Sequence, residues 1–212
     1  MSKPGSSPDS ANWPSPPQQD AAAPADGRVH RSVVTRKKIV IALTALVYEG
    51  HLSPTAEQVA ARAEVGLRTV FRHFDDMDSL YREISLDLDA QVAPLLHVKL
   101  LATSWQARVL ESIELRCEIY DRVAAHHQAA QVHRHQSPFL AENIMAGAKL
   151  QRDRLKLLIP PDVSPNAHLV EALDLALSLD AWIRLRREQG LSAADARQVM
   201  RLTASALLAQ AT

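Results

Sequence analysis

The stretch Thr55 to Phe74, TAEQVAARAEVGLRTVFRHF, constrains this chain more than any other. Ala56, Val59, Ala60 and Ala63 recur at helical spacing, and a second helical run covers 67 to 73. Helices joined by so tight a turn must cross at small residues, which Ala60 and Ala63 supply. Val65, Val70, Phe71 and Phe74 then serve as plugs that pin the second helix. Arg68, Thr69, Arg72 and His73 are left facing outward. That is the layout of a helix-turn-helix, whose first helix braces while the second enters the DNA major groove. Arg can fork onto guanine O6 and N7, and a Thr methyl can meet a thymine methyl. Lys37, Lys38 and Thr55 suit phosphate contacts, which position without specifying.

Charge supports the same end of the chain. The formal net charge of the 212 residues is zero, yet it is unevenly spread. Between Arg28 and His73 stand eight Lys/Arg and three Glu, a local +5. From Asp75 to Lys99 stand six acids and two bases, a local −4. A basic head before an acidic collar fits a polyanion docked at one end only. The single cysteine, Cys117, excludes an intrachain disulfide framework. No apolar run is long enough for a membrane span, and MSKPGSSPDS lacks the apolar core of a secretory signal. The expected location is the cytoplasm, with no membrane partner.

Residues 1–30 hold six of the twelve prolines among Ser, Gln, Ala and Asp. Such a composition cannot repay the entropy of ordering and reads as a disordered tail. From Val33 onward the pattern is helical throughout. The expected helices cover 33–49, stopped by Gly50; one opening at Ser53-Pro54; 67–73; and one from the acids Asp75, Asp76 and Asp78, with Pro94 kinking or ending it. Further helices cover 103–127, 138–158, 166–189 and, after the Ser192 cap, a run to about 210. The fold class is all-α. Its parts are the tail, a helix-turn-helix DNA-binding domain over 31–80, and a helical ligand-binding and dimerisation domain over 81–212.

The block from Arg36 to Leu80 resembles the DNA-binding domain of the tetracycline-repressor (TetR) family of bacterial regulators. A-x-V-x-x-x-T-V-F-R-H-F, Ala63 to Phe74, is similar to that family's helix 3 signature. DDMDSLYREI, Asp75 to Ile84, resembles its helix 4 opening. AWIRLRREQGLSAADARQVM, Ala181 to Met200, resembles the junction of its last two long helices. Three positions depart from the pattern. Glu64 stands where the turn usually has Gly. Phe71 stands where a Tyr hydroxyl often reaches a phosphate. Met77 stands where a Lys often sits.

The resemblance implies a cavity among the middle helices for a small-molecule effector. Trp105, Arg116, Cys117, Tyr120, Phe139, Met145 and Trp182 are candidate lining residues. Arg116, in a largely apolar helix face, wants an anion: an internal acid such as Asp174 or Asp180, or a ligand carboxylate. The run 166–189 is apolar on more than one side, through Leu169, Leu173, Ala176 and Ile183 and again through Leu175, Leu179, Trp182 and Leu185. With Val199, Leu202, Ala206 and Leu207 it could form the four-helix dimer interface that the resemblance implies.

The expected function is a homodimeric transcriptional regulator, a repressor, that binds double-stranded operator DNA and is released by a small molecule. The rival reading is an all-helical metal-binding protein or enzyme using the cluster His126, His127, His133 and His135. Adjacent histidines point to different helix faces and no carboxylate or Cys completes a metal spacing, so HHQAAQVHRH reads instead as a polar loop. No nucleophile stands with a base, and no catalytic residue, metal or cofactor is assigned.

Overall fold

The computed structural model describes residues 24–161 and 167–211, which are helical apart from turns and short connections. The chain divides into the units Met1–Thr35 and Arg36–Thr212. Helix α1 spans Pro24–Tyr48. It therefore takes in seven residues at the end of the tail expected from composition, and the rest of that tail lies outside the described residues. Pro24 suits a first helical position, where its missing N–H has no partner to lose.

Ile39, Leu43, Leu46 and Val47 of α1 are buried at the spacing of one helix face. The helix stops in a Schellman turn. Gly50 takes φ 98°, its N–H donates to the Val47 carbonyl at 3.1 Å, and the His51 N–H donates to the Leu46 carbonyl at 3.0 Å. Helix α2 is Ala56–Arg62 and α3 is Leu67–His73. The N-cap of α2 is Thr55, two residues later than the expected Ser53. Thr55 Oγ1 accepts the Gln58 N–H while Gln58 Oε1 accepts the Thr55 N–H, so the capping box T-x-x-Q outweighs the Ser-Pro signal.

Helix α4, Met77–Leu96, is capped by Asp76, whose carboxylate accepts the Ser79 N–H at 2.7 Å. It passes through Pro94 and ends two residues later. Helix α5, Trp105–His133, is the longest, and runs six residues past its expected end. Helix α6 is Pro138–Lys156, capped by Ser137 with Pro138 at the first position.

The single helix expected over 166–189 is broken. Helix α7 is Ala167–Ala176, α8 is Leu179–Ile183, and a π-helical turn follows over Arg184–Glu188. The cause lies at Leu177 and Ser178. Tyr120 Oη donates to the Leu177 carbonyl at 2.6 Å, inserting a side chain where the backbone ladder would run. Ser178 then caps α8 by accepting the Ala181 N–H at 3.1 Å. Gly190, at φ 67°, ends this segment, and α9 (Ala193–Leu208) opens on the Ser192 cap.

Two hydrophobic clusters build the unit from Arg36 onward. The first joins α1, α2 and α3 to Leu80, Tyr81, Ile84 and Leu88 of α4 and to Ala125, Ala129 and Ala130 of α5. The second joins Val92 of α4 and Val109, Ile113, Cys117 and Tyr120 of α5 to α7, α8 and α9. Helices α4 and α5 thus enter both clusters. Fully buried residues such as Leu43, Leu80, Ile113 and Leu173 each stabilise the fold by about 1.5–3 kcal/mol through area removed from water. Among the described residues, no helix is long and apolar enough to cross a membrane.

Candidate functional site

The turn between α2 and α3 is a second Schellman motif. The Val65 N–H donates to the Ala60 carbonyl at 3.0 Å and the Glu64 N–H to the Ala61 carbonyl at 3.2 Å. Its left-handed position, at φ 56°, is held by Glu64. The motif's hydrogen bonds override the steric cost of a side chain there, which is about 1–2 kcal/mol. Buried Ala60 and Ala63 let the helices approach, and half-buried Val65 packs on the first cluster.

Val70 and Phe74 pin α3, at 2% and 3% exposed. Phe71 does not: it is 48% exposed, so the expectation that it plugs the core is corrected. Its position explains why. Residues 67, 68, 71 and 72 share one face through i, i+4 spacing, and Leu67, Arg68, Phe71 and Arg72 are all exposed there. Thr69 and His73 are half-buried at the margin of that face. Burial, then the positive Arg72 and Arg36, hold the His73 imidazole below its ordinary range.

Arg36 fixes the end of α3. Its Nη1 donates to the His73 carbonyl at 2.6 Å, its Nη2 donates to Glu83 of α4 at 2.8 Å, and its guanidinium lies 4.1 Å over the Phe74 ring. The Glu83 hydrogen bond raises the Arg36 pKa, and the same bond lowers that of Glu83. Arg62 is likewise committed, to Glu49. Among the described residues, no acid pairs with Lys37, Lys38, Arg68 or Arg72, all exposed. Thr55 is exposed at the start of α2. Its oxygen accepts the capping bond and its hydroxyl proton remains to donate.

The effector candidates scatter. Tyr120 and Arg116 each line a cavity. Trp105 is half-buried against the second cluster, and Trp182 is 1% exposed within it. Cys117 is buried with its Sγ 3.9 Å from Met200 Sδ, and burial pushes its thiol up to about 11. Phe139 packs on the first cluster under the Arg82 guanidinium, 3.9 Å from its ring centre. Met145 is 72% exposed, outside either cavity. Arg116 bonds neither Asp174 nor Asp180. It donates to the Gln151 carbonyl at 2.9 Å and to Tyr120 Oη at 3.3 Å.

One cavity of about 230 Å³ lies where the two clusters meet, between α4, α5, α6, α7 and α8. Leu88, Val92, Ile119 and Tyr120 form apolar wall, and Ser85, His126, His127, Asp89, Asp174 and Asp180 supply polar groups. No Lys or Arg lines it. Sequence reasoning left His126 and His127 out of the cavity lining because it read HHQAAQVHRH as a polar loop. The signal was present: the inward stripe through Ile113, Cys117 and Tyr120 continues through Val123 and His127 to Ala130. HHQAAQVHRH is thus helix as far as His133, and not a loop.

His126 Nε2 lies 3.0 Å from Ser85 Oγ, whose hydroxyl donates to the Tyr81 carbonyl. Among the described residues, His126 Nδ1, Tyr81 Oη and His133 Nε2 are buried without a hydrogen-bond partner. Burial, then neighbouring His127, push the His126 pKa down to about 4. His127 is lowered by burial against the pull of Asp180, 3.5 Å away. Among the described residues, no three of His, Cys, Asp and Glu come together as a metal site.

No family model matches the chain, and neither does any curated protein. Solved structures do resemble it. A protein from Mesorhizobium loti MAFF303099, assigned to the TetR family of transcriptional regulators, matches with a TM-score of 0.55 at 17% identity. The match covers 84% of this chain and 97% of that one. A TetR transcriptional regulator from Rhodococcus sp. RHA1 matches over 84% of this chain and 98% of its own at 17% identity, with a TM-score of 0.46. The first of these likenesses is one of architecture: this chain has the all-α fold of a TetR-family regulator.

Proposed function

We propose that this chain is a transcriptional regulator that binds operator DNA as a homodimer through α3 and is released by a small molecule in the cavity beside α4. The observation that carries the reading is the outer face of α3. It presents Arg68, Arg72, Leu67 and Phe71 to solvent on a helix pinned by Val70 and Phe74. Two Arg forks and two apolar groups suit the donor, acceptor and methyl pattern of major-groove base edges. Lys37, Lys38 and Thr55 would seat on phosphates.

Two half-sites need two readers, hence a dimer. Leu175, at 74% exposed, and Leu202, at 68%, lie on α7 and α9 with Val199, and a second copy would cover them. The cavity touches Leu88 and Ala130 of one cluster and Val92 and Tyr120 of the other. An effector there would press on α4 between its two anchor regions and tilt the head, which turns binding into a change of reader spacing. Its acids and lack of cations favour an effector with a basic or hydrogen-donating group on an apolar body. Repression follows if the operator overlaps a promoter.

The test is selection of duplexes by the full-length protein from random DNA, followed by binding measured against salt. Lys37 and Lys38 on phosphates neutralise about four charges per dimer and give a log–log slope near −4. A flat salt response, or failure to enrich any sequence, would rule the reading out.

A further inference from the structure

We propose that a second cavity, walled by α5 and the ends of α4 and α6, is an anion site for the acidic head of an amphipathic molecule. The cavity holds about 450 Å³. Arg108, Ser112 and Arg116 line it from α5, and their i, i+4, i+8 spacing places them on one helix face. Arg154 reaches it from α6, and Leu96, Leu115 and Leu158 supply apolar wall.

Among the described residues, three guanidiniums line this cavity and no carboxylate does. Arg116 is 4% exposed, and its two bonds go to the Gln151 carbonyl and to Tyr120 Oη. Arg154 donates to the Leu96 carbonyl at 2.7 Å, at the C-terminus of α4. Arg108 is half-buried, and among the described residues no acid pairs with any of the three. Nearby acids are engaged elsewhere. Glu111 accepts the backbone N–H groups of Leu101 and Ala102, and Glu171 and Asp174 pair with Arg152. Carbonyl dipoles offset only part of a guanidinium's charge. Burial, then the positive Arg116, hold the Arg154 pKa below its ordinary range, the mark of cations crowded without a counter-charge.

A guanidinium carries five N–H donors. Arg116 spends two, Arg154 one and Arg108 none. The remaining donors can fork onto a carboxylate or phosphate, while an aliphatic body lies on the leucines. This site is separate from the DNA-reading face and does not depend on it. It adjoins the first cavity, since Ile119 and Gln151 line both.

Isothermal titration of the full-length protein with octanoate, octyl phosphate and octan-1-ol tests the inference. The account expects at least one anion to bind about tenfold more tightly than the alcohol, and the tighter one identifies the head group as carboxylate or phosphate. Arg108→Gln and Arg154→Gln should each weaken the anion by about tenfold and leave the alcohol unchanged. Arg108→Gln breaks no side-chain hydrogen bond among the described residues, so it keeps the test clear of misfolding. The inference is overturned if the alcohol matches the anions, if neither anion binds, or if Arg108→Gln binds them as the parent does. None of these outcomes bears on whether α3 reads DNA.

Discussion

Ser137, the cap of α6, gives its hydroxyl proton to the carboxylate of Asp78 in the first turn of α4. The same oxygen accepts the Leu140 N–H at 3.0 Å. Asp78 also pairs with Arg82, whose guanidinium covers Phe139 of α6. The start of the helix that follows α3 is therefore tied to the start of α6. Helix α6 lines the first cavity with Asn143, Ile144 and Gly147. A shift of the cavity wall can reach α3 by this route as well as along α4.

Ser137→Ala should cost about 1–2 kcal/mol of unfolding free energy, because it removes both a helix cap and a charge-assisted bond. Urea denaturation measures this. A loss below about 0.3 kcal/mol would mean that the tie is idle.

Glu64→Gly should stabilise the protein by about 0.5–1 kcal/mol. Glycine relieves the left-handed strain at φ 56°, and its greater freedom in the unfolded chain takes back part of the gain. Thermal melts of the two proteins decide it, and a lower melting temperature for the glycine variant contradicts the strain argument.

Phe71→Ala should change stability by less than about 1 kcal/mol, against the 3–5 kcal/mol typical of a buried Phe. It should nevertheless weaken operator binding. A large loss of stability with DNA affinity intact would return Phe71 to the role of core plug.

Acid should destabilise the fold through His126. Its folded pKa, about 4, lies below the ordinary 6.5, so between these values the unfolded chain binds more protons. The neutral imidazole's full contribution is present above pH 6.5, is lost as pH falls toward 4, and changes no further below that. The loss is about 2–4 kcal/mol at 1.4 kcal/mol per unit. His127 is displaced in the same direction and adds to the slope. Unfolding free energies from pH 7 to pH 4 for the parent and His126→Gln check this. Parallel curves would contradict it.

The pair α2 and α3 was legible because its signals are local. Ala60 and Ala63 mark the crossing, and Val70 and Phe74 recur at helical spacing. Phe71 was misplaced because hydrophobicity alone cannot tell a buried plug from an apolar group left on an exposed helix face. The break at Leu177 was invisible for another reason. It depends on the Tyr120 hydroxyl, distant in sequence, taking a backbone carbonyl. The second cavity has the same kind of origin. The helical face Arg108, Ser112 and Arg116 could be read from spacing, but the arrival of Arg154, with no acid among the described lining residues, arises only in the packed fold.

The central claim, that α3 reads DNA, is tested most directly by fluorescence anisotropy on the selected duplex with the parent, Arg68→Ala and Arg72→Ala. Both arginines are exposed and unpaired among the described residues, so the variants should melt with the parent. Each should lose about 1–3 kcal/mol of binding free energy and relax its preference at one base position. If both variants bind that duplex as tightly and as selectively as the parent, α3 is not the reading helix.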